Sequence, residues 1–300
     1  MEEYEDYYVN KPNDNIYKAL IPAFKSQPRL IQSIDCPMIA NNLYLLPGHL
    51  DFTENEVQLG ISMQLSSALG SMENLPGAIN YLIEETAQKY EIDYVIFDMN
   101  PSLSAINQDI FICSDYFLIP ASPDLFSIMS IDSLCRVLVS WETWAQKARP
   151  LFSNATYPLP VTTPKFLGYT INDFNLSRGR PQHTFKEFML QISEKITNQL
   201  YPTLCEMQMT LNNEKYIEAY ITMRDSAKNH HIDYPDPYCL AQISNFNKLI
   251  ALSNAQSIPV FEVELDPQSV QEGQNRTLAW FKFLYEALAI RILELTTDEH

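Results

Sequence analysis

"YVIFDMNPSL", residues 94–103, is the stretch on which the reading of the fold turns. Its first four residues, Tyr94 to Phe97, form a continuous apolar run, as expected of a strand covered on both faces. Asp98 follows at once, and Pro101 and Ser102 open something new. A strand that runs directly into a carboxylate is how a nucleotide-binding sheet delivers a metal or water ligand to a phosphate. The stretch therefore asks for a phosphate-holding loop elsewhere in the chain.

Outward from it the pattern alternates. Residues 15–24, "NIYKALIPAF", predict a short helix, and "NLYLLPG" (42–48) a strand ended by Pro-Gly. From Asn74 the spacing turns helical: a cap-type Asn, Pro76 in the first turn, then Ile79, Leu82, Ile83, Ala87 and Tyr90. After Asp98 come a short helix over 103–112, the strand "YFLIP" (116–120) and a long helix near 127–147. That long helix carries Ile128, Ile131, Leu134, Leu138 and Trp141 on one stripe. "KFLGYTI" (165–171) predicts a strand, 182–199 a helix, "IPVFEV" (258–263) a last strand and 276–295 a terminal helix. The inner face of that helix is Leu278, Phe281, Tyr285, Leu288 and Ile292, a stripe that reads as core packing. Such alternation implies an α/β fold, with a mostly parallel sheet, helices on both faces and a helical C-terminal part. Residues 200–240 are the least regular and read as a helical insertion. No linker divides the 300 residues, so a single domain over 1–300 is expected.

Composition narrows the function. The chain is 46% hydrophobic and 19% charged, the balance of a folded protein. It has no apolar run of the ~18 residues that a membrane span needs. The acidic start "MEEYEDYY" is neither a signal nor a transit peptide. Five cysteines, odd in number and without a C-x-x-C, suit thiols in a reducing cytoplasm better than disulfides or zinc. A net charge of −17 opposes broad attraction to nucleic acid or anionic membrane. From Lys165 to Lys195 five basic residues face three acids, a pattern that a solvated helix face explains equally well. No G-x-S-x-G, H-E-x-x-H or G-x-G-x-x-G occurs. His49 with Asp51, and His230 and His231 with Asp233, read as turns rather than as an acid–base pair or a metal site.

The ordered set "NLYLLPGHLDFTENEVQL", "YVIFDMNPSLSAINQDIFICSDYFLIPASPDLFSIMSIDSL" and "KFLGYTINDFNLSRGR" resembles the ParA/Soj branch of the ParA–MinD partition ATPases. The likeness covers residues 16–200, with a fainter match over 238–295. It implies a single P-loop NTPase-like domain of the AAA, CobQ–MinD–ParA type. It also implies ATP and Mg²⁺ as cofactors, a homodimer, and a ParB-like partner protein. Residue by residue, Asp98 matches the switch-II carboxylate that polarises water and holds Mg²⁺ through a water ligand. Pro101 and Ser102 match the turn after it. Asn172 and Asp173 fall where the family contacts adenine, and Arg178 and Arg180 in a segment that faces DNA or the partner subunit in some members.

One departure is large. None of the seven glycines is followed by Lys, so the family's K-G-G-x-G-K-[ST] phosphate loop is absent, and so is its D-x-D-P-Q switch-I segment. A phosphate cradle needs glycines that let backbone N–H groups converge, and a Lys for the β- and γ-phosphates. The expectation is an N-terminally truncated or degenerate partition-type ATPase that does not hydrolyse ATP as this chain. The alternatives are a pseudo-ATPase serving as an interaction module, or a regulatory partner in a control system. Asp98 would then hold metal only if a phosphate loop were supplied. DNA binding should be weak or absent, and "YVIF" should border a slot left by the missing phosphate-loop strand.

Overall fold

Asn15 starts the first helix, because its side-chain oxygen accepts a hydrogen bond from the Lys18 amide at 3.0 Å. That helix, α1, runs Ile16–Phe24 and buries Leu20, Ala23 and Phe24. The computed structural model describes residues 9–65, 72–100, 102–177, 180–227, 234–265 and 272–297. These fall into two compact units: residues 1–115 with 141–163, and residues 116–140 with 164–300.

In the first unit, β1 (Met38–Ala40) pairs antiparallel with β2 (Leu43–Tyr44). The helices α2 (Thr53–Leu65), α3 (Ala78–Tyr90) and α4 (Ala105–Cys113) follow, joined by the C-terminal part of α5 (Leu125–Leu151). Their apolar stripes close one core around Leu20, Phe24, Ile31, Leu59, Ile79, Leu82 and Tyr157. Three polar ties lock it. The Tyr157 hydroxyl accepts from the Ile31 amide at 2.9 Å, and the Trp144 indole donates to the Met63 carbonyl at 2.7 Å. Arg149 is buried and pairs with Glu142 at 2.8 Å, and it also donates to the carbonyls of Pro160, Thr162 and Ile112. Gly77 packs so closely that a Cβ would stand 2.1 Å from the Tyr157 carbonyl oxygen.

The expected strand at 94–97 does not form. Residues 94–100 carry no regular structure and join none of the described sheets, and Ile96 is 91% exposed. An apolar run supplies β propensity, but a strand is made by its neighbours. The Asn74 expectation also shifts, since α3 begins only at Ala78, with Gly77 as its cap residue. The Asn74 side chain instead accepts from the Thr156 amide at 2.7 Å. His49 caps a single 3₁₀ turn over Leu50–Phe52, which bears out the reading of that pair as a turn. His230, His231 and Asp233 lie outside the described residues.

The second unit is built on a three-stranded parallel sheet. β3 (Tyr116–Ala121) pairs with β4 (Lys165–Phe174), and β4 with β7 (Cys239–Ser244). β4 lies in the middle and is buried along nearly its whole length. A small hairpin, β5 (Leu176–Ser177) with β6 (Arg180–Pro181), follows it. The helices are α6 (His183–Lys195), α7 (Tyr201–Glu206), α8 (Asn213–Ala227), α9 (Lys248–Gln256) and α10 (Glu272–Thr296). A π turn over Ile196–Leu200 joins α6 to α7, one residue ahead of the position before Pro202. The α/β class, the parallel sheet flanked by helices and the helical C-terminal part are as the sequence implies.

Two details differ. Residues 258–263 form no strand; Val260–Glu262 make a 3₁₀ turn after Pro259. The last strand is β7, which begins at the end of the region read as irregular and runs beyond it to Ser244. Its entry is fixed by Asp236, which accepts from the amides of Tyr238 and Cys239 and from the hydroxyls of Tyr169 and Ser193 at 2.5–3.0 Å. The buried Arg291 of α10 donates to the carbonyls of Pro237 and Cys239 on the same stretch. Burial leaves the Arg291 guanidinium less basic than usual and lifts the Tyr169 phenol above its ordinary range.

Candidate functional site

In an open parallel sheet, ligands bind beyond the carboxyl ends of the strands. β4 and β7 end side by side, with Phe174 opposite Ser244. Asn172 and Asp173 close β4, as the sequence reading places them. Asp173 adopts a left-handed backbone (φ 61°), and so does Asn247 (φ 51°) at the start of α9. Non-glycine residues in that region cost roughly 1–3 kcal/mol each and persist where the surroundings hold them. Here the clamp is visible. The Asn245 amide donates to the Asp173 carboxylate, its backbone N–H reaches the Phe174 carbonyl at 2.9 Å, and its side-chain oxygen accepts from the Asn247 amide at 2.6 Å.

A pocket of about 490 Å³ opens beside this clamp. Asn175 and Gln182 border it from the hairpin side, Ser244 and Asn245 from β7, and Arg276 and Trp280 from α10. The lining combines neutral amides, the Arg276 cation, two hydroxyls and the Phe281 and Trp280 rings, the indole itself stacked on Phe283 with centroids 5.8 Å apart. It can stack a flat ring and hydrogen-bond its edge. Among the described residues its lining carries two hydroxyls, Ser244 and Thr277, and no carboxylate. Asn172 is half-buried, and its side-chain oxygen has no donor among the described residues.

The other sequence-predicted residues lie elsewhere. Asp98 belongs to the first unit, is exposed, and follows the irregular 94–97 run rather than a strand end. Asn172 and Asp173 belong to the second unit. Arg180 is exposed on β6, while Arg178 and Pro101 lie outside the described residues. Among the described residues no three His, Cys, Asp or Glu side chains converge as a metal ligand set. No glycine of the sequence is followed by Lys, the pair that a phosphate-binding loop of this kind uses. Sequence reasoning missed Asn245, Arg276 and Trp280. The signal was "CLAQISNFN" (239–247), a short apolar run that ends in amide-rich turn residues. Only its first two residues fall in the irregular span 200–240, and the run carries no strand signal beyond its short apolar stretch.

Residues 5–147 match the family model of an AAA domain, a P-loop NTPase-type domain of the ParA/MinD kind. The chain also resembles the crystal structure of protein DIP2308 from Corynebacterium diphtheriae, at 14% identity and a TM-score of 0.52, over 96% of this chain and 77% of that one. That likeness concerns the fold. No curated protein matches the chain. Among the described residues no helix is long and apolar enough to cross a membrane, and all five cysteines are free thiols.

Proposed function

We propose that this chain is a ParA-like NTPase-fold protein, of the lineage that serves plasmid or chromosome partitioning, in which these 300 residues bind rather than hydrolyse. The pocket at the carboxyl ends of β4 and β7 carries this reading. It offers a stacking surface and hydrogen-bonding amides suited to a purine, beside the Asn172–Asp173 strand end that the family resemblance assigns to adenine. Among the described residues nothing comparable is built for phosphates. Asp98 is the position that a metal-bound water would approach, yet its segment carries neither the glycines nor the Lys that fix a triphosphate. The reading is thus of a base-recognising module that works through partners, a ParB-like protein or a second copy of the chain.

A second reading is supported by the exposure of 94–97. A strand-forming sequence left out of any sheet fits an ATPase whose phosphate-loop strand comes from outside these residues. Adenosine titration tests the first reading. Trp280→Ala and Arg276→Ala should each weaken adenosine binding about tenfold, since stacking of a base on an aromatic ring is worth roughly 1–3 kcal/mol. Unchanged affinity in both variants would remove the pocket from the account.

A further inference from the structure

The segment after Asp98 is held by one side chain. Asn107 lies in the first turn of α4 and is only 3% exposed. Its amide nitrogen stands 2.8 Å from the Asn100 carbonyl, 2.9 Å from the Asn100 side-chain oxygen and 2.6 Å from the Ser102 carbonyl. Two of these partners are backbone carbonyls, which only accept, so the group facing them must be the NH₂. Its two protons serve three acceptors, and one of the bonds is therefore shared. The turn is closed further from within. The Ser102 amide donates to the Asn100 carbonyl at 2.8 Å, and the Ser102 hydroxyl donates to the Asn100 side-chain oxygen. Ser104 caps the helix by accepting from the Asn107 amide at 3.2 Å.

We infer that Asn107 is a latch that fixes the loop after Asp98 in one conformation without any ligand. Both protons of the Asn107 amide are spent on Asn100 and Ser102. The sequence that in a switching NTPase would answer to nucleotide is here set constitutively, with the Leu103 side chain held out in solvent at 65% exposure. The latch stands on this geometry alone. Only its description as a replaced switch rests on the function proposed above.

Hydrogen–deuterium exchange of the full chain tests both parts separately. Asn107→Asp keeps the shape but replaces the NH₂ donor with a carboxylate oxygen, an acceptor set against three acceptors, and Asn107→Ala removes the group altogether. In either variant that retains the parental far-UV circular dichroism, the Ser102 amide, which donates to the Asn100 carbonyl inside this network, should exchange about tenfold faster or more, as expected when buried bonds of this kind are lost. Amides of 105–113 should keep their protection. Ser102→Ala leaves the backbone acceptors in place and should accelerate exchange by less than Asn107→Ala. Parental exchange rates in folded Asn107→Asp and Asn107→Ala would overturn the latch. Loop exchange in the parent should also be unchanged by Mg·ATP. A nucleotide-dependent change there would overturn constitutive setting, and with it the proposed function, while leaving the Asn107 geometry to the variant test.

Discussion

Asp109 is fully buried in α4, and neither carboxylate oxygen has a hydrogen-bond partner among the described residues. Burial pushes its carboxyl well above the usual range, and Cys113, one turn on, is pushed up by burial and by Asp109 itself. The sign of the consequence follows from linkage. The folded state holds this proton to higher pH than the unfolded state, whose Asp ionises near ~3.9. Stability from this group is therefore greatest in acid and falls as pH rises through the window between the two pKa values, by about 1.4 kcal/mol per pH unit. Asp109→Asn should raise Tm, and the gain over the parent should be larger at pH 8 than at pH 5. A gain independent of pH in thermal melts would contradict this. Gly168 is a second residue that tolerates no change. Its φ of +145° is one that L side chains rarely adopt, and a Cβ there would meet the Tyr238 carbonyl oxygen at 2.3 Å. Gly168→Ala should cost roughly 1–3 kcal/mol through strain and a similar amount through overpacking, measured as a lower urea midpoint.

Among the elements, helices were the most legible. The stripes of α1, α3, α5 and α10 appear where a 3.6-residue period places them, because a helix satisfies its own backbone and needs the rest of the fold only to bury one face. The α10 stripe still hides Arg291, whose buried role of holding carbonyls on β7 has no signature in hydrophobic spacing. Strands were less legible, since an apolar run does not say whether a neighbour exists. "YFLIP" and "KFLGYTI" found parallel partners; "YVIF" and "IPVFEV" did not, and "CLAQIS" did so unannounced. This contrast is testable by substitution. Ile96→Lys should change stability by no more than about 0.5 kcal/mol, as for an exposed surface position. Ile171→Ala in β4, where Ile171 is 0% exposed, should cost roughly 2–5 kcal/mol. A loss of several kcal/mol from Ile96→Lys in chemical denaturation would mean that 94–97 is buried after all.

For the whole molecule, net charge bears on the choice of partner. At −17 the chain repels a polyanion, and the described part of its basic segment offers exposed Arg180 on a two-residue strand. Duplex DNA should not shift in a gel at physiological salt. Any shift at low salt should vanish when Arg178 and Arg180 are both changed to Ala. The end of β4, where Asn172 and Asp173 stand, was legible because that strand formed, although neither residue lines the pocket. The pocket walls were not, because Arg276 and Trp280 come from a helix about a hundred residues further along the chain, and only the fold brings them to that strand end. The central claim, base recognition without a phosphate cradle, is tested most directly by calorimetry on the 300-residue chain with adenosine, ATP and Mg·ATP. The account predicts that ATP binds no more tightly than adenosine, that Mg²⁺ adds nothing, and that no phosphate is released. Micromolar, magnesium-dependent ATP binding would contradict it.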